Sequence, residues 1–145
     1  MTPSQNITCQ TVTWSVGDTP LDHGPCVAAI GNFDGVHRGH ATVIAAAIDA
    51  ARAKGVAAAA VTFDPHPREF FRHEDAPFHL ADRAEKDRLL AALGLDRVIH
   101  VTFDDNLRCT DASAFVSDVL PALGVTALFA GADFAVGRGR GGALD

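Results

Sequence analysis

Four apolar runs punctuate the chain, with stretches of helical periodicity between them. They read CVAAIGNF (26–33), VAAAAVTF (56–63), RVIHVTF (97–103) and VTALFAG (125–131). Each is apolar along nearly its whole length rather than at alternate positions, as strands are when both faces of their sheet are covered. Strands alternating with helices in this way predict a doubly wound α/β fold: a mostly parallel sheet with helices on both faces. Right-handed crossovers then bring all four strand C-termini to one edge.

The intervening segments fit this plan. The spacing of Val43, Ile44, Ala47, Ile48 and Ala51 predicts a helix over 38–54, stopped by Gly55 after Arg52 and Lys54 in its last turn. A second helix, over 81–93, carries Leu89, Leu90 and Leu93 and ends at Gly94. A third, over 111–123, takes Asp111 or Thr110 as N-cap and turns Phe115, Val116 and Val119 inward; Pro121 should distort or end its last turn. The alanines of 56–63 favour helix and pull against the strand reading there. The segment DPHPREFFRHEDAPFH (64–79) is too long to be only a connector. Residues 1–25 form an N-terminal segment with room for an edge strand, and 26–145 form the main domain.

Composition excludes several roles. The net charge is −6 and no Lys/Arg block occurs, which speaks against nucleic-acid or membrane-surface binding. The longest apolar run is too short to span a bilayer, and MTPSQNITCQTVTW has neither the basic flank nor the apolar core of a signal peptide. Cys9, Cys26 and Cys109 are odd in number and widely spaced, fitting no zinc or disulfide pattern, so a reduced, cytoplasmic setting is expected. Oligomeric state is not set by any of these features.

Polar residues gather after the strands, in NFDG, TFDPHP, TFDDN and GADF, on the edge where open α/β sheets bind ligands. The densest group is GNFDGVHRGH (31–40), between the first strand and the first helix. Free N–H groups and the positive end of the helix dipole favour an anion there. The spacing is neither G-x-x-x-x-G-K-[ST] nor G-x-G-x-x-G. In place of a lysine stand His37 and His40, spaced i, i+3 so that in a helical turn both imidazoles share one face. Such a pair suits a triphosphate under attack at its α-phosphorus; no third ligand is spaced to make it a metal site.

GNFDGVHRGH contains H-x-G-H, the signature of the nucleotidylyltransferase superfamily, whose sheet is Rossmann-like. With TFDPHP (62–67), EKDRLLAALGLDRV (85–98) and GADF followed by Gly137, Arg140 and Gly142, the sequence from about 26 to 142 resembles the FMN adenylyltransferase module of bacterial bifunctional riboflavin kinase/FAD synthetases. The resemblance implies transfer of AMP from ATP to FMN, giving FAD and pyrophosphate, with Mg2+ arriving on ATP. It implies that His37 and His40 contact the ATP phosphates, and that Gly31, Asn32, Phe33 and Gly39 shape the nucleotide pocket. Asp64, His66, Pro67 and Arg68 are then expected near FMN, though the prolines can equally serve only to stop the strand. Phe70, Phe71 and Phe78 can stack a flavin or pack in the core. Gly131, Asp133 and Phe134, with Arg138 and Arg140, fall where ATP contacts are expected; a solvated glycine-rich end is the other reading.

Two departures from the family stand out. Ala135 and Val136 replace an Arg and a Phe of the usual D-F-R-F-G. The sequence also stops at Asp145, before the I-S-S-T-x-x-R-like segment and the riboflavin kinase domain of the family, as a truncated product would. A non-catalytic flavin- or nucleotide-binding fragment, and a transferase for another acceptor such as a pantetheine or glycerol phosphate, are therefore alternative expectations.

Overall fold

The computed structural model describes residues 9–31, 33, 38–64, 80–130, 135–136 and 142–143. Its elements run β1 (Gln10–Trp14), β2 (Cys26–Ile30), α1 (Arg38–Lys54), β3 (Ala57–Asp64), α2 (Leu80–Ala92), β4 (Arg97–Thr102), α3 (Asp105–Arg108), α4 (Ala112–Ala114), a π-helical turn (Phe115–Val119), α5 (Leu120–Ala122) and β5 (Val125–Ala130). The strands make one five-stranded parallel sheet in the order β1-β4-β3-β2-β5. The fifth member is β1, from the N-terminal segment, paired in parallel with β4 at the edge. A separate two-stranded antiparallel ladder joins β6 (Ala135–Val136) to β7 (Gly142–Ala143), within what the sequence presents as a glycine-rich tail.

Both faces of the sheet are covered, as the unbroken apolar strands require. On one face Val27, Ala29, Ala58, Ala60 and Val98 pack with Ile44, Ala47 and Ala51 of α1 and Leu90 of α2. On the other, Ala28, Ile30, Val61, Ile99 and Val101 pack with Phe115, Val119, Leu120 and Leu123. Each large apolar side chain so buried is worth roughly 1.5–3 kcal/mol. The alanines of β3 do not make a helix. They are sealed between β2 and β4, and their small side chains let the alanine-bearing face of α1 come close. Burial overrides propensity here.

Some expected positions move. β2 ends at Ile30 rather than Phe33, because Phe33 adopts φ 55°, outside any strand conformation. Leu90 is buried, but Leu89 and Leu93 are exposed, since α2 turns Lys86, Asp87 and Leu90 inward instead. Val116 is also exposed. The π-helical turn, closed by Leu120 N–H to the Phe115 carbonyl, carries one extra residue and rephases the buried stripe. That turn lies just before Pro121, which has no N–H to continue the α-helical ladder. Asp111 is the N-cap, its carboxylate accepting from Ala114 N at 2.8 Å.

The N-terminal edge of the sheet is clamped by polar contacts. Asp96 accepts from Arg52 at 2.8 Å and from the Ala58 amide at 2.9 Å. Burial pushes this carboxyl up, but the Arg52 and Ala58 hydrogen bonds and the Arg52 and Arg97 charges outweigh it and hold it below its ordinary value. The buried Arg97 guanidinium donates to the His23 carbonyl at 2.7 Å and the Gly24 carbonyl at 3.4 Å, fastening the segment before β2. Among the described residues no helix is long and apolar enough to cross a membrane.

Candidate functional site at the carboxyl edge of the sheet

From β2 the chain winds through β3 to β4, then returns to place β5 on the other side of β2. The winding direction therefore reverses between β2 and β5, and the crevice beyond their C-termini is where a doubly wound sheet takes a ligand. GNFDGVHRGH begins at that point. It leaves β2 at Gly31 and enters α1 at Arg38.

Gly31 donates its N–H to the Val61 carbonyl at 3.1 Å, extending the β2–β3 register by one residue. A Cβ on Gly31 would meet the Phe33 ring at 3.3 Å, so the glycine leaves room for that ring to fold back beneath it. Phe33 is only 1% exposed and sits in the core with Ile44 and Val27. The buried ring thus holds a left-handed residue three positions past the end of β2. Left-handed backbone at a non-glycine residue costs about 1–2 kcal/mol, which the buried ring offsets.

Gly39 and His40 lie in the first turn of α1, which holds no acidic residue, while Arg52 and Lys54 occupy its last turn. The positive end of a 17-residue helix dipole is thus left to an anion at the switch point. Asp64 is the last residue of β3, at the same edge. Gly31, Phe33, Gly39, His40 and Asp64 are therefore brought to the ends of two neighbouring central strands and the helix that follows one of them. Asn32, His37, His66, Pro67, Arg68, Gly131, Asp133, Phe134, Arg138 and Arg140 lie outside the described residues, as do Phe70, Phe71 and Phe78. Ala135 and Val136, where the family has Arg and Phe, form β6.

A second set of polar residues lies near this edge; the sequence reading gives them no role, although TFDPHP begins at Thr62 and EKDRLLAALGLDRV holds Lys86 and Asp87. Thr62 and His100, both fully buried, are adjacent across β3 and β4. Lys86 of α2 donates from Nζ to Thr62 Oγ1 at 3.2 Å, and His100 Nε2 donates to Asp87 Oδ1 at 2.8 Å. The available signal was a Thr and a His inside otherwise apolar runs, VTF and VIHVTF.

Comparison with known proteins identifies the family. A family model described as FAD synthetase matches residues 19–145. The chain is 44% identical over 125 residues to a bifunctional riboflavin kinase/FMN adenylyltransferase of Pseudomonas fluorescens, covering 86% of this chain and 40% of that protein. It is 41% identical over 118 residues to the protein of that name from Escherichia coli, covering 81% and 38%. An FAD synthetase of Listeria monocytogenes is 32% identical over 130 residues, covering 86% and 50%. The chain spans about two fifths of the length of the first two relatives. Among solved structures, one titled a macrolide-efflux protein from Streptococcus pneumoniae superposes with a TM-score of 0.72 over 90% of this chain and 44% of that one. At 22% identity, that likeness speaks for the fold alone. With the family match reaching from residue 19 through the switch-point loop to residue 145, the chain belongs to the FAD synthetase family.

Proposed function

We propose that this chain is an FMN adenylyltransferase module, transferring AMP from ATP to FMN to give FAD and pyrophosphate, in the cytoplasm. The observation that carries the reading is the position of GNFDGVHRGH, which runs from β2 into α1 at the point where the sheet's winding reverses. The names of the relatives support FMN as the acceptor over other phosphates.

An oxygen of the FMN phosphate attacks the α-phosphorus of ATP, and the bond from that phosphorus to the bridging oxygen breaks. Pyrophosphate leaves with the bonding pair. The attacking phosphate is ionised at neutral pH, so no general base is required. The protein's work is to bring two polyanions in line and spread the developing charge. His37 and His40 contact the phosphates at the α1 N-terminus. Gly31, Asn32, Phe33 and Gly39 shape the nucleotide pocket, and Gly131, Asp133, Phe134, Arg138 and Arg140 extend its contacts. Asp64, His66, Pro67 and Arg68 serve the FMN side. ATP enters as its magnesium complex.

The test is FAD formation from FMN and ATP with Mg2+, followed by chromatography, in the parent, His37→Ala and His40→Ala. Loss of most of the rate in both variants, and in the parent after chelation of Mg2+, is the expected result. Near-parental rates in both variants would refute the roles given to the histidines.

A further inference from the structure

We draw no further inference here: the strongest candidate, the polar cluster of Thr62, Lys86, Asp87 and His100 between α2 and the sheet, is accounted for by the hydrogen bonds that hold the helix on the strands and points to no ligand.

Discussion

Phe33 offers a test of how the switch-point loop is built, because two opposed terms act on one residue. Its ring is 1% exposed, so truncation to alanine removes a core side chain and leaves a cavity, a change that costs about 3–5 kcal/mol. The backbone stands at φ 55°, where any residue with a Cβ carries about 1–2 kcal/mol of strain and glycine carries none. Glycine's freer unfolded chain takes back about 0.5–1 kcal/mol of that relief. Phe33→Gly should therefore be more stable than Phe33→Ala by about 0.5–1 kcal/mol, although it has the smaller side chain. For a chain of this size that is a difference of about 1–4 °C in Tm. Urea unfolding followed by the fluorescence of Trp14, the one tryptophan and a buried one, gives the comparison directly. The two variants should share one slope, so that the difference appears in the midpoint. An alanine variant as stable as the glycine variant, or more so, would show that the turn after β2 is not held in the left-handed region, and the account of Gly31 and Phe33 would fail with it.

Three further perturbations probe the rest of the fold. Gly124 has φ 80°, and a Cβ there would lie 2.7 Å from the Gly24 carbonyl oxygen, so Gly124→Ala should lose about 2–4 kcal/mol in urea titration. Asp96→Asn should lose about 1–2 kcal/mol at pH 7 through its weakened bonds to Arg52 and Ala58. Because the folded Asp96 carboxyl titrates below its ordinary value of 3.8, its contribution is present above that pH and disappears as pH falls through the folded value. The gap between parent and Asp96→Asn should therefore close in acid titrations below pH 3.8. With a thiol reagent at neutral pH the exposed Cys109 should react first. Cys9 should lag, its thiol pushed to about 11 by burial and by the charges of Asp87 and Asp96, and the buried Cys26 should react only on unfolding.

Local signals made much of this fold legible. The bounds of α1 follow from its periodic face and from Gly55, which takes φ 71° at the helix end. The central strands follow from unbroken apolar runs, and β3 survives its four alanines because two neighbouring strands enclose it. What sequence could not supply was phase. Leu89 and Leu93 flank the inner face of α2 because Thr62 and His100 on the sheet select Lys86 and Asp87 as partners, a choice made across strands far apart in the chain. Val116 turns outward because one wide helical turn precedes Pro121. β1 is short, half-exposed and at the edge, so QTVTW shows little of the apolar signal that marks the other strands.

The site divides along the same line. The place of GNFDGVHRGH between β2 and α1 could be read because its signals are local: an apolar run that ends, glycines, and the start of a periodic helical face. The second polar set could not, because its members, Thr62, His100, Lys86 and Asp87, come from two strands and a helix and meet only in the fold. This difference follows from how a doubly wound sheet is held. The N-terminal edge is closed by Arg97 on two carbonyls and by Arg52 with Asp96, contacts that fix the chain before β2 and between α1 and β4. At the carboxyl edge the polar pairing runs between the sheet and α2 instead. The lysine turned inward there bonds Thr62 Oγ1 at 3.2 Å, in a helix that leaves Leu89 and Leu93 on its exposed surface, so polar pairing and not apolar burial sets which way this helix faces.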